Sequence, residues 1–227
     1  MDIDIYLVRH GETKNNREGV LVGRRDVELS EEGREQIRQM TSQYPFPQPS
    51  VVYVSPMSRC LETAALVFPD SLKDRRARVE EQLIEMDFGC YEGMPVRAFA
   101  GTDLYEGWTE QRPDAGLTGG ETFGEVERRM IAAFDRILSD CLSEGIKTAG
   151  VVSHNMVIVR LLRGHMTAEI PSEARFCPNG MGFHLRVEEE RWRKERMMEF
   201  VRLLPEGAGR PDPLQSPYII EKNEKQE

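Results

Sequence analysis

Apolar residues occur along this chain in short bursts, with longer stretches of helical spacing between them. Residues 3–8 alternate Ile, Asp, Ile, Tyr and then close on Leu7 and Val8, which predicts a strand. Residues 51–54 and 149–152 are brief apolar runs and predict two more strands. Residues 182–187 place Phe183, Leu185 and Val187 at alternate positions and predict a fourth. Helical signals fall between these runs. Ser30 followed by Glu31 and Glu32 predicts a capped start, and the helix should run to about Ser42, before the proline-rich 44–49. A second helix is expected over 58–68, ended by Pro69. Thr122 and Glu125 form a capping-box pair. Behind them Phe123, Val126, Met130, Ala133, Phe134, Ile137, Leu138 and Cys141 keep helical spacing, which suits a core-facing helix. Residues 156–163 predict a further helix with Gly164 as its stop.

The remaining segments lack a clear period. Residues 15–28 read as a loop and 73–78 as a charged, solvated run. Residues 81–120 are irregular and glycine-rich and carry the aromatics Tyr91, Phe99, Tyr105 and Trp108. About 86–120 reads as an insert covering a site. Residues 191–204 suit helix and strand equally, and a mobile polar tail is expected over 205–227. Strands alternating with helices predict an α/β fold: a three-layer α/β/α sandwich with a mostly parallel central sheet, one domain over 1–204. In such sheets ligands bind beyond the carboxyl ends of the strands.

Composition narrows the function classes. Of 227 residues, 39% are hydrophobic and 30% charged, and the net charge is −9. That acidic balance argues against nucleic acid as a partner. No apolar run has the length of a membrane span, and Met1 leads straight into the first strand with no signal segment, so a cytoplasmic protein is expected. Cys60, Cys90, Cys141 and Cys177 are far apart and form no CxxC pair, so free thiols are expected rather than a disulfide framework or a zinc cluster. Monomer and homodimer both stay open.

Three of the predicted strands are each followed at once by polar chemistry. The first leads into Arg9-His10-Gly11-Glu12, the second into Ser55 and Arg59, the third into Ser153 and His154. If these strands are parallel neighbours, two imidazoles and two guanidiniums meet at one edge. Such a set makes a poor metal site, because the guanidiniums repel a cation and no carboxylate joins them. It suits phosphate, whose oxygens match the arginine fork. No metal or cofactor is expected.

Arg9-His10-Gly11-Glu12-Thr13 with Asn16 resembles the opening motif of the histidine phosphatase superfamily, the phosphoglycerate mutase-like proteins. The likeness continues through 23–33, 55–64 (Ser-Pro-Met-Ser-Arg-Cys-Leu-Glu-Thr-Ala), 83–93 (Leu-Ile-Glu-Met-Asp-Phe-Gly-Cys-Tyr-Glu-Gly), 119–123 and 151–154, in the family's order. It covers about residues 4 to 187. The resemblance implies that His10 is a nucleophile forming a phosphohistidine, and that Arg9, Arg59 and His154 clamp the phosphoryl oxygens. It also implies that Asn16 adds a neutral donor and that Glu85 protonates the leaving oxygen, with a carboxyl pKa raised by the covering insert. Gly23, Arg24 and Arg25 either reach the substrate or sit exposed on their loop. His165 and His184 read as structural.

Two positions depart from the family pattern. Asn155 stands where glycine is usual, and asparagine tolerates the left-handed backbone a turn there would need. Glu28 stands where proline is common. The resemblance also separates two activities. In phosphoglycerate mutases the stretch after Gly93 continues Leu-Asn-Lys, whereas this chain reads Met94-Pro95-Val96. The chain is more similar to the phosphatase branch, including α-ribazole phosphatases and broad-specificity bacterial enzymes. A phosphomonoesterase acting on a small phosphorylated metabolite is therefore expected. Mutase-type phosphoryl transfer and a catalytically silent phosphate-binding protein are the alternatives. The aromatics of the insert either face a ring-bearing substrate or pack the insert onto the body.

Overall fold

A computed structural model describes residues 1–73, 77–99, 110, 112–170 and 177–211. Tyr105, Trp108, the side chain of Phe99, residues 74–76 of the charged run and residues 212–227 of the expected tail lie outside them. The strands are β1 (Asp2–Arg9), β2 (Val51–Val54), β3 (Ala77–Val79), β4 (Thr148–Ser153), β5 (Gly182–Glu188) and β6 (Glu199–Leu204). They form one sheet in the order β3-β2-β4-β1-β5-β6. The first four strands run parallel, and β5 and β6 close one side antiparallel. The sheet is mixed and mostly parallel, as predicted.

The helices are α1 (Lys14–Arg17), α2 (Glu31–Gln43), α3 (Ser58–Val67), α4 (Pro69–Lys73), α5 (Phe123–Ser143), α6 (Asn155–Gly164) and α7 (Glu189–Glu195). The period-two rule explains how the layers form. Ile3, Ile5 and Leu7 of β1 join Val51, Tyr53, Ala149 and Val151 in one apolar cluster with α5 and α6. Tyr6 and Val8 turn the other way and join Val52, Val54 and Val152 in a second cluster with Ile37 of α2 and Cys60, Ala64 and Val67 of α3. Both faces of the parallel strands are thus covered, which is why those strands read as apolar runs. The eight apolar residues of α5 named above are all buried. Truncating one of the largest, Phe134, to Ala should cost about 3–5 kcal/mol.

Caps fall where the sequence placed them. Ser30 Oγ accepts from Gly33 N at 3.0 Å, and Thr122 and Glu125 bond reciprocally at the start of α5. Several expectations need correction. Residues 15–28 are not all loop, because Thr13 and Asn16 form a capping box that nucleates α1. Pro69 ends α3 but also opens α4, since proline fits a first helical turn. The charged run hides β3, which pairs with β2 at the sheet edge. Residues 189–204 hold both candidate elements, α7 and then β6, separated by Arg196 in a left-handed conformation (φ 58°). Asn155 needs no left-handed turn and simply begins α6 after His154 caps it in an extended conformation. Gly164 is the last helical residue rather than a stop beyond it. From the expected tail, Arg210 is seated on the body: it donates to the carbonyl of Gly182, and its guanidinium lies 4.9 Å from the Phe183 ring centre. Among the described residues no helix is long and apolar enough to cross a membrane.

Candidate active site

The parallel register carries the chemistry to one edge. Arg9 at the end of β1 is level with Ser153 at the end of β4, and Val54 of β2 is level with Val152. The ladder runs one residue further on each side. His10 N donates to Ser153 O at 3.0 Å, and Ser55 N donates to Val152 O at 3.0 Å. His10, Ser55 and His154 therefore leave the sheet side by side. The His10 and His154 rings lie 5.2 Å apart, centre to centre.

His10 is 4% exposed, and its Nδ1 lies 2.7 Å from the carbonyl of Gly11. A carbonyl only accepts, so Nδ1 carries the proton and Nε2 keeps its lone pair. Among the described residues Nε2 has no hydrogen-bond partner. Burial drives the His10 pKa well below the ordinary histidine value, and the Arg59 and Arg9 charges push it the same way. The ring stays neutral. Gly11 is a glycine for a steric reason: a Cβ there would lie 2.5 Å from Ile37 Cδ1. Its N–H donates to Thr63 Oγ1 at 2.9 Å, which ties the motif to α3.

The two arginines are fixed by backbone carbonyls. Arg9 Nη1 donates to Cys177 O at 2.7 Å, while its buried Nε has no hydrogen-bond partner among the described residues. Arg59, in the first turn of α3, is 1% exposed and donates to Gly23 O at 2.9 Å and Arg25 O at 3.1 Å. Gly23 in turn gives its N–H to the Glu92 carboxylate at 3.0 Å, and a Cβ on it would meet Met86 O at 2.1 Å. Arg24 pairs with Glu121 at 3.0 Å, and Arg25 packs against Gly93.

His154 is fully buried. Its Nε2 lies 2.7 Å from Ser55 Oγ and 3.4 Å from Cys60 Sγ. Burial again holds its pKa well below the usual range, with Arg59 and His10 adding to the effect. The Cys60 thiol is pushed up to about 12 by burial, so it is inert. Glu85 is 5% exposed, and burial raises its carboxyl pKa. Its oxygens accept from Met86 N at 2.8 Å and from Met156 N, in the first turn of α6, at 3.4 Å. Asn16 uses its side-chain oxygen to cap Thr13 N at 3.0 Å.

Residues 5–199 match the profile of the histidine phosphatase superfamily, branch 1. The chain belongs to that superfamily. It is 25% identical over 192 residues to phosphoserine phosphatase 1 of Hydrogenobacter thermophilus, a match covering 83% of this chain and 89% of that protein. It is 29% identical over 192 residues to the adenosylcobalamin/alpha-ribazole phosphatase of Salmonella typhimurium, covering 83% and 87%. A phosphoglycerate mutase from Bacillus anthracis shares the fold, with a TM-score of 0.67 at 22% identity over 83% of this chain and 89% of that one.

In this member of the superfamily, residues outside the sequence motifs also shape the site. Asn179 Nδ2 donates to His10 O at 3.0 Å and Gly11 O at 3.3 Å, pinning the backbone of the opening motif. Pro178-Asn179-Gly180 is a turn signal, with Gly180 at φ 74°, so composition alone could have marked it. Ser55, expected as polar chemistry after the second strand, is brought against His154 Nε2 at 2.7 Å. Among the described residues no group of three His, Cys, Asp or Glu side chains is placed to hold a metal ion.

Proposed function

We propose that this histidine phosphatase is a phosphomonoesterase working through a phosphohistidine on His10. The observation that carries the reading is the bond from His10 Nδ1 to the Gly11 carbonyl, which leaves Nε2 as an aimed lone pair on a ring held neutral. Nε2 attacks phosphorus, the P–O bond to the leaving group breaks, and that oxygen takes the proton from Glu85. Water then attacks the phosphohistidine, gives its proton back to Glu85 and releases phosphate and free His10. Arg9 and Arg59 neutralise the phosphoryl oxygens, with His154 as an uncharged partner beside them, and the buried Arg9 Nε is a donor that such an oxygen would satisfy. Asn16 contributes its amide as a neutral donor. Arg24 and Gly23 are candidate substrate contacts on the adjoining loop, which Arg59 holds through the Gly23 carbonyl. Burial, by raising the Glu85 pKa, shifts the carboxyl toward the acid form that donation requires.

The substrate is a small phosphorylated metabolite, in keeping with the phosphoserine and alpha-ribazole phosphatases among its relatives. The reaction belongs in the cytoplasm, a setting that four free thiols suit. Against mutase transfer, Val96 stands at the lysine position of the mutases and is buried in the core. Incubation with p-nitrophenyl phosphate and with 3-phosphoglycerate tests the reading. Phosphate should be released from the first and no isomerised product formed from the second. Isomerisation without phosphate release would overturn it in favour of a mutase. Binding of both without turnover would favour a silent phosphate-binding protein.

A further inference from the structure

Glu85 lies in neither a helix nor a strand. It follows the short 3-10 turn Glu81–Leu83, and the backbone around it is held from outside. Leu83 O accepts from Ser153 Oγ at 2.8 Å. Gln82 O and Ile84 O both accept from one nitrogen, Arg129 Nη1, at 2.7 and 2.6 Å. The other edge of that guanidinium binds Glu121, Nε to Oε1 at 2.8 Å and Nη2 to Oε2 at 3.0 Å. Glu121 then holds the downstream side: its Oε2 accepts from Asp87 N at 2.9 Å, and its own N–H donates to Asp87 O at 3.0 Å. Both side chains are largely buried, at 11% and 18% exposure. The Ile84 carbonyl belongs to the peptide plane that leads into Glu85, so its direction sets how the carboxyl leaves the backbone.

We infer that the buried pair Arg129–Glu121 is the positioning device for Glu85, bracketing it on both sides so that its carboxyl meets the leaving oxygen of the substrate. The inference rests on the phosphomonoesterase reading and names how that reading's proton donor is held. Arginine is needed because one planar fork serves two carbonyls and a carboxylate at once, which a lysine ammonium cannot do in the same geometry. Arg24, 3.0 Å from Glu121 Oε2, ties the loop after Gly23 into the same network.

Positioning and charge make opposite forecasts. The Arg129 charge favours the ionised form of Glu85, so removing it would leave more of the acid form at neutral pH and, on charge alone, would not slow proton donation. Loss of aim slows it. The test compares Arg129→Met, Arg129→Lys and Glu121→Gln on two esters. p-Nitrophenyl phosphate has a leaving group that departs with little protonation, whereas glycerol 2-phosphate must receive a proton. Arg129→Met should lower kcat/KM, which reports only the steps up to departure of the leaving group, about 100-fold on glycerol 2-phosphate and about 3-fold on p-nitrophenyl phosphate. Arg129→Lys should recover little of the difference. In a Glu85→Gln background Arg129→Met should add less than about 3-fold on the glycerol ester, because nothing remains to be aimed. Equal losses on both esters, or a lowered melting temperature with kcat/KM intact, would overturn the inference. If Arg129→Met fails to fold, Glu121→Gln carries the same comparison, with about 10-fold expected on the glycerol ester alone. Wild-type protein that hydrolyses neither ester would remove the phosphomonoesterase reading and the inference together. Equal losses beside an intact, His10-dependent wild-type activity would remove only the inference.

Discussion

His10 and His165 are both buried histidines with Nδ1 on a backbone carbonyl, yet they occupy opposite chemical situations. His165 Nδ1 lies 2.8 Å from Arg196 O, and its Nε2 lies 3.1 Å from the Glu127 carboxylate, which also takes Arg160. Each of its ring nitrogens is already taken by a neighbour, Arg196 O on one side and Glu127 on the other, so neither is open to a substrate. His10 has the same carbonyl contact on Nδ1, but around it stand guanidiniums instead of a carboxylate. Burial alone does not make a histidine reactive. What separates the two rings is the sign of the charge beside the second nitrogen.

The sharpest way to break this contrast is to delete each ring. His10→Ala should reduce phosphate release by about 10⁴-fold or more while the protein stays folded. Persistent turnover would mean that a different group attacks phosphorus. Glu85→Gln should follow with a loss of about 10²–10³-fold in kcat on an alkyl ester, read in steady-state assays. His165→Ala should leave kcat within about 3-fold and instead destabilise the fold by about 2 kcal/mol, measured by urea unfolding, because Glu127 and the Arg196 carbonyl each lose a partner. A large kcat effect there would mean that His165 also serves the reaction.

The smallest effects concern pH. His10 and His154 have lowered pKa values in the folded protein, so below about pH 6.5 the unfolded chain takes up protons that the folded one refuses. Stability should fall as pH drops from that point, and less steeply in His10→Ala. Glu85 runs the other way. Its raised pKa favours the fold at pH values below the ordinary carboxylate range, and that contribution is lost as pH rises through the folded value. Glu85→Gln should therefore melt higher than wild type at pH 8 and gain less at pH 4. Equal melting shifts at both pH values would show that Glu85 titrates normally.

The edge of the parallel strands was legible in the sequence because each strand is an apolar run that stops on a polar motif, and a parallel register brings such stops level. Arg9, His10, Arg59 and His154 could be read for that reason. Residues 191–204 could not, since a left-handed Arg196 divides helix from strand and nothing in a side-chain pattern announces a positive φ on arginine. β3 was masked because three residues at a sheet edge are too few to show a period. Arg129 lies in an amphipathic helix whose legible signal is its apolar spacing, and the carbonyls it holds are far away in sequence, which no local pattern encodes. Asn179 was missed for the same reason, although its turn was visible.

The strand ladder does not stop where the strands do: His10 and Ser55 each complete one more rung before the chain turns away. The His10 imidazole thus borrows the stiffness of the sheet, whereas the loops beyond it have no such rung to hold them. Under the proposed mechanism, such a division would let changes in the loops alter which esters enter without disturbing the alignment of attacking nitrogen and phosphorus.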